Sequence, residues 1–430
     1  VLCRLCRSLP DFGWDPVLGL ARGERFHDPA RFLAENGPLP TVELDGTRGT
    51  FSARRAAIAR TIRKVAPDIV VGARLFDAIP AMCSLRAQGF IKPLVQMVGG
   101  WDADVFSNLR RYREIIDFCV VDSRLLKLAI VEKCGYSSAQ VKRIPTGIGK
   151  PGTFVRTPAG GSLRLCYVGR LDDSDKRACD IVPLVKELSR RGVNFFLEVA
   201  GDGKDRGAIE RQLQDEILSG RVRFHGWLNA DDLHVFFLRQ DALVQFSPAE
   251  GLTISPREGL VRGVVPVLSE FTGFFTEGLF RPEFNSLSFP VGQISVAADQ
   301  IGRLQDDRGL LACLSESART SQGGAFISPN DIKEWAAFLS DVAMRPAAPS
   351  VTAQFPEDSG RLDRLPRPIQ RLLRRFSRHA HSDAGGEWPH VGEGATEIER
   401  REFQDFALAH EQRSKQQPRR TSGASNNNPQ

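Results

Sequence analysis

Long hydrophobic runs are missing from this 430-residue chain: no stretch of roughly 18 uncharged apolar residues occurs, the minimum for a helix that crosses a membrane. No signal-peptide pattern follows Val1. Cysteine is sparse at eight, and Cys3-x-x-Cys6 has no second pair or histidine at zinc spacing, which argues against a disulfide scaffold, a zinc module or a redox pair. The others, such as Cys119 in "DFCVV" and Cys166 in "LRLCYVG", mostly sit in apolar runs as small core residues, so a reduced, cytoplasmic protein is expected. Gly (39) and Pro (26) are too few and too irregular for collagen, and 41% hydrophobic residues exclude a wholly disordered chain. A basic surface is also largely missing. The net charge of +6 comes from 58 basic and 52 acidic residues, and seven Arg against Asp363 between Arg361 and Arg378 already supply all of it. The remainder is neutral, so nucleic-acid binding by the folded part is not expected.

What is present is alternation. From about residue 55, helical stretches such as "ARRAAIARTIRKV" and "RLLKLAIVEKCG" alternate with short apolar strands such as "DIVVGA", "KPLVQMVGG" and "DFCVVDS". Strands separated by 10–15-residue helices, without hairpin signals, predict a parallel sheet covered on both faces. Residues 1–50 read as irregular. Residues 150–162, "KPGTFVRTPAGGS", read as a linker, after which alternation restarts with "LRLCYVG", "NFFLEVAG", "VRFHGW", "ALVQFS" and "VVPVLSE". Two successive α/β units predict two lobes and a cleft, with ligands beyond the carboxyl ends of the strands.

Five features fall at strand ends of the second unit. "YVGRLDDSDK" places Gly169, Arg170 and Lys176 after a strand, two cations suited to a diphosphate. "VAGDG" closes a strand on Gly201 and Gly203, where backbone or ligand can approach closely. The spacing Gly201-x-Gly203-x-x-x-Gly207 is one residue too long for the dinucleotide fingerprint, and "VRFHGW" lacks the terminal acid that would hold a ribose, so hydride transfer is disfavoured. His225 in "FHGWL" reads as a satisfied core or edge histidine. "SPAEGLTISPREGLVRG" sets Glu250 and Glu258 around a helix start, where the amides of Gly251, Leu252, Thr253 and Ile254 are free to meet an anion. "SEFTGF" (269–274) follows, placed to close the same edge.

In this order, the pieces resemble the donor-binding half of the retaining glycosyltransferases of family 4, including their Glu-x7-Glu motif; much of 55–150 and 325–343 is similar more loosely. The resemblance implies a GT-B fold: α/β, two Rossmann-like lobes with parallel sheets facing a cleft. Residues 1–150 would be an acceptor-side lobe, incomplete at its start, 151–345 the nucleotide-sugar lobe, and 346–430 a basic, largely disordered tail. Arg170 and Lys176 would neutralise the donor diphosphate, Glu250 would contact the donor sugar, and Glu258 would hold the ribose. Gly169, Gly201, Gly203, Gly251, Leu252, Thr253 and Ile254 would lie along the donor, and Trp227 and Leu228 would border the base. The implied reaction moves a sugar from a nucleotide-sugar to a hydroxyl acceptor (a glycan, a lipid-linked glycan or a small molecule) with retention of configuration. No cofactor and no metal are implied, because the two cations do that work.

The chain departs from the family at two places. It opens on "VLCRLCRSLPDFG" instead of a strand and glycine loop, and Gly99, Gly100, Trp101 and Asp102 stand where the family carries a histidine. A non-catalytic sugar-nucleotide or glycan-binding relative is therefore the alternative reading; the Glu-x7-Glu order argues against a sugar-nucleotide epimerase. In the tail, Leu362, Leu365, Ile369, Leu372, Leu373 and Phe376 recur among the arginines of 361–381. This pattern suits peripheral contact with an anionic membrane as well as a solvated or domain-docking helix.

Overall fold

A computed structural model describes residues 1–22, 28–45, 51–73, 77–148, 161–320, 330–345 and 394–416, with five isolated positions between 365 and 372. Residues 150–160 of the expected linker and most of the basic 361–381 segment lie outside the described residues.

The first lobe is built on a four-stranded parallel sheet in sequence order: β3 (Val70–Ala73), β4 (Leu94–Val98), β5 (Phe118–Val121) and β6 (Val141–Arg143). Its strands are short apolar runs, as a sheet covered on both faces demands. Alternate residues point to opposite faces. Leu94, Val98, Cys119 and Val121 pack under helices α4 (Ala78–Arg86), α5 (Ala103–Arg111) and α6 (Arg124–Lys133). Val95, Phe118 and Val120 pack under α1 (Leu2–Ser8) and α16 (Asn330–Met344). Capping side chains start the helices where the strands end: Asp102 accepts from the Asp104 amide at 2.8 Å, and Ser123 from the Leu126 amide at 3.2 Å.

The opening residues are more regular than their sequence suggests. After α1 come β1 (Leu18–Arg22), α2 (Pro29–Asn36) and β2 (Thr41–Asp45), the two strands pairing in parallel. Leu5 and Leu9 are buried against α16, and tertiary packing holds what local propensity does not announce.

The second lobe carries a six-stranded parallel sheet. The chain enters at β7 (Leu163–Val168), runs outward through β8 (Phe195–Ala200) and β9 (Val222–Gly226), then returns to β10 (Ala242–Gln245) on the other side of β7. It continues through β11 (Val265–Ser269) to β12 (Leu287–Phe289). Helices α8 (Ile181–Arg190) and α14 (Ile294–Asp306) cover one face and α11 (Ala230–Leu238) and α12 (Ser255–Leu260) the other, while α15 (Arg308–Thr320) packs Leu311 and Leu314 with the first pair and Ala318 with the second. The direction of winding reverses between β7 and β10, which opens a crevice at their carboxyl ends.

One part of the expected disordered tail is ordered. Residues Glu397–Gln416 form a 20-residue helix whose Phe403, Phe406 and Ala407 enter the first-lobe core. Their spacing, one face of a helix, puts enough apolar surface on that face to bind it to the lobe.

Candidate functional site

The crevice between β7 and β10 is where the sequence-predicted residues begin to meet. Beyond β7, the Tyr167 hydroxyl donates to the Arg170 carbonyl at 2.8 Å and fixes the turn. Asp172 then caps the short helix α7 (Asp173–Lys176) through the Ser174 amide at 3.0 Å. Beyond β10, Gln245 donates to Glu250 Oε1 at 2.9 Å and accepts from the Thr253 hydroxyl at 3.0 Å. These two loops bring Lys176 and Glu250 together, with Nζ donating to Oε1 at 2.6 Å. Both are mostly withdrawn from solvent, at 22% and 11% exposure, so the pair is screened less than a surface ion pair. Arg170 does not join them. It is held by Asp175 in an ion pair at 45% and 42% exposure.

The glycines serve the loops themselves. Gly201 has φ of 145°, and a Cβ there would sit 1.9 Å from the Gly169 carbonyl oxygen. At Gly203 a Cβ would sit 2.3 Å from the Leu171 carbonyl oxygen. The β7 and β8 loops touch backbone to backbone, and this contact requires glycine with or without a ligand. Gly251 instead meets the first lobe: its Cβ would fall 2.8 Å from both Asp122 Oδ1 and the Gly99 carbonyl oxygen. The loop carrying Glu250 therefore seats against the carboxyl ends of β4 and β5.

Glu258, on α12, is half-buried, and burial raises its carboxyl above the ordinary range while Arg262 and Arg257 pull it back. Arg262 donates to the Glu258 carbonyl at 2.8 Å and to His234 at 3.1 Å, forming a cluster that sequence reading missed. Leu252 and Thr253 are buried, whereas Ile254 is 43% exposed. Leu228 is half-buried and Trp227, at 72% exposure, stands in solvent at the end of β9. His225 is a structural residue as expected, bonded to Glu198 at 2.8 Å, with Gln240 closing the other carboxylate oxygen at 2.6 Å. Phe271, Gly273 and Phe274 of "SEFTGF" line a small hollow together with Gly251, Leu252, Thr253 and Glu277.

The seam between the lobes was not legible in the sequence. Arg257, fully buried, donates to the Thr146 carbonyl at 2.8 Å, and burial lowers its pKa to about 10. Asp331 of α16 accepts from the Gly147 amide at 3.0 Å. Glu277, on α13 (Phe274–Glu277), bonds Arg143 at 2.9 Å and accepts from the Arg124 amide. Asp122 is half-buried in the same seam, with its Oδ1 withdrawn from solvent. Burial and the Glu277 carboxylate push its pKa up to about 7, offset in part by Arg257 and the Leu252 amide. The only sequence signal was the position of "VVDS" and "PTG" at strand and turn ends. At the stretch where a histidine was the expectation, Trp101 packs on Phe106, with ring centroids 4.9 Å apart, and lies half-buried against the first-lobe core. Two Asp-x-Asp spellings are engaged locally: Asp102 caps α5 and Asp104 pairs with Arg400, while Asp173 accepts from the Cys179 amide and Asp175 pairs with Arg170.

Residues 154–321 match the family model for glycosyl transferases group 1. The matched span holds every site residue named above in the second lobe. Among curated relatives, the chain is 28% identical over 169 residues to the 2-deoxystreptamine glucosyltransferase of Streptomyces kanamyceticus, covering 39% of this chain and 41% of that protein. It is 29% identical over 140 residues to the lipopolysaccharide core biosynthesis glycosyltransferase LpsE of Rhizobium meliloti (strain 1021), covering 33% of this chain and 40% of that one. The chain thus matches about two-fifths of the length of these relatives. Among solved structures, it is similar to Anabaena Alr3699/HepE in complex with UDP and glucose, with a TM-score of 0.62 at 16% identity over 79% of this chain and 95% of that one. It is also similar to sucrose-phosphate synthase (tll1590) from Thermosynechococcus elongatus, with a TM-score of 0.64 at 17% identity over 79% and 92%. The fold is therefore GT-B.

Proposed function

We propose that this chain is a retaining glycosyltransferase that moves a sugar from a nucleotide-sugar donor to a hydroxyl acceptor. The observation that carries this reading is the Lys176–Glu250 contact of 2.6 Å at the β7/β10 switch point, within the span that matches the glycosyltransferase family model. A glycosyl–phosphate bond breaks with negative charge growing on the leaving diphosphate. A preorganised cation in a poorly solvated crevice stabilises that charge. Lys176 supplies it, with Arg170 joining once it leaves Asp175, and no metal or cofactor is invoked. Glu250, freed from Lys176 as the diphosphate takes over the ammonium, turns to the donor sugar's hydroxyls. Glu258 holds the ribose. Gly169, Gly201 and Gly203 keep the loop backbones low enough for the donor to lie over them, and Trp227 and Leu228 border the base.

UDP-sugars are the first donors to test, since a similar solved structure is a complex with UDP-glucose. The acceptor would enter from the first lobe, and the basic 361–381 segment would bring the protein to an anionic membrane surface if that acceptor is lipid-linked. Flotation on anionic liposomes should weaken when 361–381 is deleted; equal flotation contradicts membrane contact. A second reading, donor binding without turnover, is favoured by one observation: the stretch Gly99 to Asp102 offers the cleft no histidine, and its Trp101 is half-buried against the first-lobe core. Isothermal titration with UDP-glucose together with release of UDP separates the two. Binding with release supports transfer, and binding without it supports the second reading.

A further inference from the structure

The Glu397–Gln416 helix touches both lobes. On the first lobe, Phe403 and Phe406 are buried in the core, Arg110 donates to Glu402 at 3.1 Å, Ser107 to Glu399 at 3.1 Å and Arg400 to Asp104 at 2.6 Å. About two turns further along, or about 12 Å, the same helix reaches the second lobe. Glu411 accepts from the Phe275 amide at 2.8 Å, the Thr276 amide at 3.3 Å and the Thr276 hydroxyl. Lys415 lies 3.2 Å from Glu270 and 4.7 Å from the centre of the Phe275 ring.

The segment that Glu411 holds has two other duties. It continues into Glu277, which bonds Arg143 across the seam, and it begins at Gly273, where a Cβ would lie 3.0 Å from the Glu250 carbonyl oxygen. We propose that the Glu397–Gln416 helix is an interlobe clamp, anchored in the first lobe by Phe403 and Phe406 and latched to the second by Glu411 and Lys415. The other link between the lobes is the direct seam, where Arg257 meets Thr146, Arg143 meets Glu277 and Gly251 seats against Asp122. A single line of contact leaves two bodies free to rock about it, and a second link, through a helix rooted in the first-lobe core, restricts that rocking. Releasing the latch therefore frees the lobes to open, and the clamp sets the width of the crevice whatever ligand it takes.

The test is hydrogen exchange by mass spectrometry on the full chain, comparing it with Glu411→Ala/Lys415→Ala. The reporters are the Arg124 amide, which donates across the seam to Glu277, and Gly251 and Leu252, which meet Asp122 of the first lobe. The clamp predicts exchange about tenfold faster at both, as expected when charge-assisted bonds holding a seam are lost. Unchanged exchange at both overturns the proposal even if 274–277 exchanges faster, since Glu411 would then be only a local cap. Should the double variant fail to fold, Glu411→Gln keeps the side-chain shape and one acceptor oxygen. It should give a smaller rise at the same reporters, and no rise overturns the clamp equally.

Discussion

Lys176 and Glu250 lie 74 positions apart in sequence and 2.6 Å apart in space, and their charges cancel until an anion competes for the lysine. Replacing Lys176 by Met removes that competition. Donor affinity should fall about 10- to 100-fold, the worth of a charge-assisted bond, with little change in thermal stability. Titration calorimetry with UDP-glucose checks it. Asp122 makes a prediction about pH. Its pKa rises from the ordinary 3.8 to about 7 on folding, so its ionisation is penalised in the native state. Stability from this group is full below about pH 4, is lost as pH rises toward 7, and changes no further above that. The loss is on the order of 4 kcal/mol at about 1.36 kcal/mol per unit. Asp122→Asn cannot ionise, so the stability difference between variant and parent should grow in the variant's favour from pH 4 to 7. Denaturant unfolding across that range measures it, and a difference independent of pH contradicts it.

At the scale of elements, two glycines in neighbouring loops should behave differently. Gly201 combines φ of 145° with a carbonyl oxygen 1.9 Å from any Cβ, so Gly201→Ala forces the β7 and β8 loops apart. The expected cost is on the order of 3 kcal/mol within the second lobe, seen as a lower melting temperature. Gly251→Ala pushes only against Asp122 and Gly99, so it should open the seam and speed exchange at Arg124 while leaving the lobe cores intact. Equal melting losses for the two would contradict this division.

These elements also show what sequence could convey. The strands β4, β5, β7, β8 and β10 are apolar runs bounded by Gly, Pro and caps, and they could be read directly because burial on both faces leaves a local imprint. So could the order of motifs from Gly169 to Glu258. The contacts of Arg257, Glu277 and Asp122 across the seam could not, because each joins residues more than a hundred positions apart and leaves no periodic signal. The Glu397–Gln416 helix is hidden in the sequence for a different reason. Its apolar face amounts to a few residues, Phe403, Phe406 and Ala407 among them, in a strongly charged stretch, and it becomes a helix in contact with the lobe it covers.

At the scale of the whole molecule, two parallel sheets meet at their carboxyl ends, the second carries a switch point, and residues 154–321 match the glycosyl transferases group 1 model. Among the described residues no helix is long and apolar enough to cross a membrane. The most direct test of the central claim is thermal shift of the full chain against UDP-, GDP- and ADP-sugars, with Glu258→Ala in parallel. A donor at a hundredfold excess over its Kd stabilises the native state by about 2.7 kcal/mol. The account predicts a rise in melting temperature of several degrees for one nucleotide class, absent in Glu258→Ala. No rise with any donor would contradict it.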